Sequence, residues 1–153
     1  MKRYIFIFLI LFLTILTSCT AKDEGTPFDN NDIKISLLNE EIKDEYRTYS
    51  FEVFNTGKLE IKFLNFYLYY PVITTSGSKG NPFKIEGETE SSKPIKLKSG
   101  EKIKYTIVAP IKEVFGDSAL LNFDNPLVEL NGFVQQGKKD IPFSMRGGYL
   151  NTK

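Results

Sequence analysis

From Ile33 onward, apolar side chains recur at every second position, in short runs. Ile33, Ile35 and Leu37 alternate with Lys34 and Ser36. Tyr49, Phe51 and Val53 alternate with Ser50 and Glu52, and Leu59, Ile61 and Phe63 with Glu60 and Lys62. A period of two puts such residues on one face of an extended strand, whereas a helix repeats at about 3.6. Helix formers are scarce, with Ala only at positions 21, 109 and 119. β-branched and aromatic residues, which fit a pleated and half-buried surface, take their place. Gly, Pro and Asn interrupt the runs every few residues, so many short strands are expected rather than a few long ones.

The alternation changes parity inside Phe63-Leu64-Asn65-Phe66-Tyr67-Leu68-Tyr69-Tyr70. A β-bulge near residues 63–65, or a strand buried on both faces, accounts for the change. Further short strands are expected at 83–86, 95–97, 103–107, 120–123, 128–134 and 141–145. Residues 74–82 read as a long loop, and 110–115 as one helical turn with Pro110 at its first position. The pattern predicts an all-β, antiparallel β-sandwich, with a small β-barrel as the alternative. The turn Asn55-Thr56-Gly57, with Leu97-Lys98-Ser99-Gly100-Glu101 leading to Tyr105, resembles bacterial immunoglobulin-like modules. That resemblance implies an immunoglobulin-like sandwich over residues 32–153.

The first 31 residues follow other rules. Lys2 and Arg3 precede 13 almost wholly apolar residues, 4–16. That length suits a signal-peptide core and is short of the roughly 20 residues that span a bilayer. Residues 1–18 are therefore expected to be a signal peptide. Residues 19–31 are polar, with Gly25, Pro27 and paired Asn, and read as a flexible tether. Leu16-Thr17-Ser18-Cys19 resembles the lipobox of bacterial prolipoproteins. The resemblance implies diacylglyceryl transfer to the Cys19 sulfur and cleavage before Cys19. An ordinary secretory signal or an uncleaved anchor is the other reading. Lipidation would hold the domain on the extracytoplasmic face of the cell membrane, since two acyl chains anchor stably where one does not.

Composition narrows the chemistry. There is no His and only one Cys, so no Ser-His-Asp triad, Cys-His pair, internal disulfide or Cys-rich zinc site can form. Lys plus Arg is 20 and Asp plus Glu 19, which gives no electrostatic footprint for nucleic acid. No cofactor is implied. The carboxylates Glu40-Glu41, Asp44-Glu45 and Glu86, Glu88, Glu90 sit beside Lys or in polar loops, so they read as solvated rather than as a tuned hydrolytic pair. Ser76-Gly77-Ser78-Lys79 copies one penicillin-binding motif without its companions and is set aside. The oxygen donors of Asp29-Asn30-Asn31-Asp32, and Asp117 with Asp124, lack the EF-hand order and read as Asx turns.

Two surface features remain. If Leu64, Phe66 and Leu68 face the core, Asn65, Tyr67 and Tyr69 form a stripe on the other face. Such a stripe suits glycan stacking or a protein partner. Lys96 and Lys98 share one strand face and Lys102 and Lys104 the next, a basic surface able to meet anionic headgroups or polymers. The same lysines also guard a sheet edge. The reading is thus a non-catalytic binding module at the cell envelope, touching another envelope protein or a surface polymer. A small-molecule or glycan carrier is the alternative, and a carboxylate-based hydrolase the weakest. Palmitate labelling checks the anchor: label is expected on the wild type and absent from Cys19→Ala, which should leave the membrane fraction. Label retained by Cys19→Ala counts against the lipobox.

Overall fold

The computed structural model describes residues 28–91, 95–116 and 118–148. The signal segment 1–18, Cys19, residues 20–27 of the tether, Lys93 and Asp117 lie outside the described residues. Phe28, assigned to the tether by sequence, packs on Phe143 with ring centroids 4.7 Å apart. The packed domain therefore includes the last tether residues, which form a 3-10 turn, Asn30–Asp32, capped by the Asp29 side chain on Asn31 N–H.

The strands are β1 (Ile33–Ile42), β2 (Arg47–Asn55), β3 (Ile61–Tyr69), β4 (Val72–Thr74), β5 (Gly77–Lys79), β6 (Ile85–Glu86), β7 (Lys102–Ala109), β8 (Leu127–Gln136) and β9 (Lys139–Gly148). One sheet runs β1-β2-β7, the other β6-β3-β8-β9, and β4-β5 forms a separate hairpin. All pairings are antiparallel. The chain passes between sheets after β2, after β6 and after β7, so neighbours in space are distant in sequence. This is a β-sandwich of immunoglobulin-like arrangement. The barrel alternative fails because, among the described residues, β1 and β9 end their sheets without pairing. Both free edges carry guards against mispairing: a bulge at Leu38 and Glu40-Glu41 on β1, and Lys139 and Pro142 on β9.

The period-two residues meet between the sheets. Tyr49, Phe51 and Val53 of β2 and Tyr105 and Ile107 of β7 face Leu64, Phe66 and Leu68 of β3 and Val128, Leu130 and Val134 of β8, all buried. Phe66 lies 5.0 Å from the Phe51 ring and 5.1 Å from Tyr105, so it packs against two strands of the opposite sheet, β2 and β7. The Tyr105 hydroxyl donates to the Leu64 carbonyl at 3.1 Å, which spares a buried polar group. Burial pushes that hydroxyl's pKa up, so it stays a donor at any physiological pH.

The parity change is a bulge in β3, between Ile61 and Phe63. Ile61 and Leu64 both face the core, and Phe63 turns outward. Gly132 of β8 stands opposite Leu64, and a Cβ there would strike the Phe63 carbonyl and the Phe143 ring. A second device crosses the sandwich edge. Ile85 and Glu86 pair with β3, and Glu88 bridges Thr106 of β7. Gly87 lies between, where a Cβ would press on Tyr105, Ile107 and Phe66 at 3.1–3.3 Å.

Asn55 is the buried polar clamp at one end. Its Nδ2 donates to the Leu59 carbonyl at 2.9 Å and the Leu97 carbonyl at 3.0 Å, and its Oδ1 accepts from Gly57 N–H at 3.1 Å. These bonds hold the β2–β3 turn to the segment before β7. At the other end Tyr49 and Tyr70 hydroxyls lie 3.2 Å apart, and Phe115 and Phe123 meet the Tyr70 ring edge-on.

Several expectations are corrected. The expected loop 74–82 is in large part the β4-β5 hairpin, which begins at Val72 and whose second strand, Gly-Ser-Lys, has no apolar alternation to reveal it. Residues 95–97 supply one bridge, Leu97 to Ile61, and 120–123 one bridge, Leu121 to Val72, instead of strands. The helical turn is Ile111–Phe115, a π-type turn closed by Gly116 N–H on the Ile111 carbonyl, with Pro110 just before it. Phe66→Ala should cost about 3–5 kcal/mol, the usual scale for a core aromatic. Asn55→Ala should cost about 3 kcal/mol, near 1 for each hydrogen bond lost. Urea unfolding measures both; a loss under about 1 kcal/mol for either would contradict its assigned role.

Candidate functional site

The outer face of the four-stranded sheet is built in rows. β3 and β8 pair Phe63 with Phe133, Asn65 with Asn131 and Tyr67 with Glu129, and β9 adds Pro142, Ser144 and Arg146 to the same rows. Because side chains alternate, the inward neighbours are core residues and these nine all face out. The face thus changes from apolar to amide to charged along about 14 Å of strand. Phe63 and Phe133 are 38% and 42% exposed, with ring centroids 6.2 Å apart. Asn65 Nδ2 donates to the Tyr67 hydroxyl at 3.0 Å, which fixes that ring.

Glu129 organises the charged row. It is 2% exposed although it points away from the core. Lys84 Nζ lies 2.7 Å from its Oε1, Asn131 Nδ2 donates to the same oxygen at 2.8 Å, and Arg146 Nε lies 2.5 Å from Oε2. The Arg146 contact is an ion pair without hydrogen-bond alignment, which leaves Oε2 with no aligned donor. Lys84 also sits 6.0 Å from the Tyr67 ring centroid, so cation and ring are held together. Burial pushes the Glu129 carboxyl pKa up, but the Lys84 and Asn131 hydrogen bonds and the two cations outweigh it. The net pKa lies below the ordinary value, and Glu129 is an anion at neutral pH.

The residues singled out by sequence fall in different places. Tyr67 and Asn65 are on the face as expected. Tyr69 shares their alternation but is 6% exposed, so the accessible stripe ends at Tyr67. The lysines do not form one surface. Lys102 and Lys104 are on the outer face of the three-stranded sheet, where Lys102 pairs with Glu52 at 2.7 Å and lies 5.0 Å from the Phe54 centroid. Lys96 and Lys98 flank Leu97, which bridges to the other sheet. Glu40, Glu41, Asp44, Glu45, Glu86, Glu88 and Glu90 are all exposed. Among the described residues no three His, Cys, Asp or Glu side chains come together as a metal site. Sequence reading missed Phe63, Lys84, Glu129, Asn131, Phe133 and Arg146. One signal was present: Glu129 interrupts the apolar run Leu127-Val128-Leu130.

A cleft of about 250 Å³ opens elsewhere, between the free edges β1 and β9, lined in part by Ile33, Ile35, Val128 and Met145. It is below the roughly 300–1,000 Å³ of ordinary ligand pockets, whereas two surface depressions, of about 440 Å³ beside Tyr46, Val108 and Pro110 and about 400 Å³ beside Thr89, Ser91 and Ile103, fall within that range.

No protein-family model matches the chain, and no curated protein does. Among solved structures it is similar to the β-glucosidase of Kluyveromyces marxianus in complex with glucose, at 18% identity and a TM-score of 0.35. A selenomethionine-labelled β-glucosidase structure from the same organism gives the same values. The match covers 76% of this chain but only 14% and 13% of those chains. A likeness this slight bears on neither mechanism nor ligand. Fold and site together define an antiparallel sandwich carrying one graded aromatic, amide and ionic face.

Glu129→Gln tests the electrostatics. A carboxyl whose folded pKa is depressed adds stability above its unfolded value of about 4.5 and loses it as pH falls through the folded pKa. The wild type's advantage should be greatest above that unfolded value of about 4.5 and should shrink as pH falls below it. A gap that is flat with pH would show that Glu129 is not held as an anion.

Proposed function

We propose that this chain is a membrane-anchored, non-catalytic binding module of the cell envelope that takes a surface glycan polymer on the outer face of its four-stranded sheet. The carrying observation is the graded face itself. Phe63 and Phe133 offer exposed ring surface for the apolar faces of sugars. Asn65, Asn131 and Ser144 offer amides and a hydroxyl to sugar hydroxyls, with Arg146 and Lys84 at the far side. The dimensions favour a narrow partner. Three rows on three strands cover about 14 Å by 10 Å. A stable protein interface buries about 800 Å² per partner, far more than this face supplies alone. A chain of a few rings fits it. The anchor is Cys19, supported by the lipobox resemblance.

The other readings have less to stand on. The edge cleft is small for a carrier, and the two larger depressions are lined by charged side chains, Glu45, Lys112 and Glu113 in one and Glu90, Lys102 and Lys104 in the other. A hydrolase needs a carboxylic acid held protonated and a second carboxylate nearby, and Glu129 is held ionised among cations.

Co-sedimentation with isolated envelope polysaccharide tests the reading. Phe63→Ala and Phe133→Ala should each weaken binding about tenfold, the worth of one lost stacking contact near 1.4 kcal/mol. Both residues are surface residues, so melting should shift little. A folded double variant that binds like the wild type overturns the glycan site. A photo-crosslink from position 133 to a single envelope protein would instead favour the protein partner.

A further inference from the structure

The sandwich has two unlike ends. At one, the 3-10 turn, the β2–β3 turn, the segment before β7 and the β8–β9 hairpin are bonded together. Thr56 N–H donates to the Asp32 carbonyl, Gly100 N–H to Asn55, Ile61 N–H to Leu97 and Gln135 N–H to Glu60, at 2.8–3.0 Å. Four stretches, 29–34, 55–62, 95–104 and 134–142, therefore converge there, and they carry nine Lys against five Asp or Glu. The opposite end carries Glu40, Glu41, Asp44, Glu45, Glu113 and Asp124 against Lys43, Arg47 and Lys112.

Pairing sharpens the asymmetry. Lys58, Lys96, Lys98, Lys138 and Lys139 are exposed and have no ion-pair partner among the described residues. Three of the five carboxylates near them are engaged, and Asp32 and Asp140 have no ion-pair partner among the described residues. Glu60 is paired with Lys62 at 2.8 Å, and Glu101 accepts the Lys98 backbone N–H at 2.8 Å. Asp29 caps the 3-10 turn. The Lys62 hydrogen bond, and then the charges of Lys96 and Lys98, hold the Glu60 carboxyl below its usual pKa, as expected where cations gather.

The chain joins the domain at this same end. Eight residues, 20–27, separate Cys19 from Phe28. Fully extended they reach at most about 29 Å, and the ten-residue strands are about 33 Å long. Phe28 lies against Phe143, midway along β9, so a lipid on Cys19 keeps the domain close enough to the membrane for the lysine end to reach it.

We infer that this lysine-bearing end is a membrane-surface site: Lys58, Lys96, Lys98, Lys138 and Lys139 dock on anionic phospholipid headgroups and set the domain upright on its anchor. The inference rests on the reading of Cys19 as the lipidation site. It splits the lysine pair of the sequence analysis, taking Lys96 and Lys98 and leaving Lys102, which is bound to Glu52. Attraction of each lysine to a charged leaflet acts within a Debye length, about 10 Å at 0.1 M salt, so the contact is close and sensitive to salt.

The chain has no tryptophan, so one inserted residue reports on one place. The full lipidated protein is purified as Ser99→Trp, at the tip of the lysine end, and as Ser76→Trp, at the tip of the β4-β5 hairpin. Each is reconstituted in vesicles bearing a dansyl headgroup, with or without 30% phosphatidylglycerol (about a third of the lipid). Energy transfer from Ser99→Trp should rise at least twofold on the anionic vesicles, and Ser76→Trp should stay low. The rise should vanish in 0.5 M NaCl and in a background of Lys96→Gln, Lys98→Gln, Lys138→Gln and Lys139→Gln. Intact-mass analysis of the same samples reads the Cys19 lipid independently. Lipid present with equal transfer on both vesicle types overturns this inference alone. No lipid on Cys19 overturns the anchor reading and this inference with it.

Discussion

Phe66 packed between Phe51 and Tyr105 is the contact on which the other arrangements depend. It joins the middle of one sheet to two strands of the other, at centroid distances of 5.0 and 5.1 Å. The Tyr105 hydroxyl adds a directed bond to the Leu64 carbonyl beside it. Gly87 lets the crossing segment pass close over Phe66, Tyr105 and Ile107. With Phe66 turned inward, the pleat turns Asn65 and Tyr67 outward. The core contact and the candidate face are thus two sides of one strand, and neither can move without the other.

That coupling explains what could be read from the residues and what could not. The alternation of Tyr49, Phe51 and Val53, and of Leu64, Phe66 and Leu68, announces strands and a buried face, because burial in a sandwich follows the pleat. The bulge in β3 was visible as a change of parity. The β4-β5 hairpin was not, since Gly77-Ser78-Lys79 is exposed on every side chain and bears no pattern. Tyr69 misled for the opposite reason: alternation assigns a face but does not say what covers it. Glu129 was missed because its setting is made by residues far away in sequence. Lys84 lies 45 positions before it, and Arg146 reaches it only through the register of β8 with β9.

Glu129 also shows how an outward charge becomes a structural element. Two cations and an amide converge on one carboxylate, and Lys84 in turn lies near the Tyr67 ring. A buried pair gains little net stability after desolvation is counted. Its effect here is orientation: it holds Arg146, Asn131 and Lys84 in fixed relation on a surface that would otherwise present loose side chains. A pre-ordered face spends less entropy on binding, which matters most for a small contact area.

The graded face and the lysine end are at right angles to one another. The rows of the face run along β3, β8 and β9, whereas the lysines cluster where those strands terminate or turn. In the upright orientation inferred above, the strands stand along the membrane normal and the face looks sideways, parallel to the membrane plane. Its aromatic row, Phe63 and Phe133, then lies nearer the bilayer, and its ionic row, Glu129 and Arg146, farther from it. A polymer lying along the surface would meet one row across its width, while a polymer rising from the surface would meet all three in order. The gradient from ring to amide to ion runs in the second direction, so a glycan bound as proposed above and meeting all three rows would extend away from the membrane.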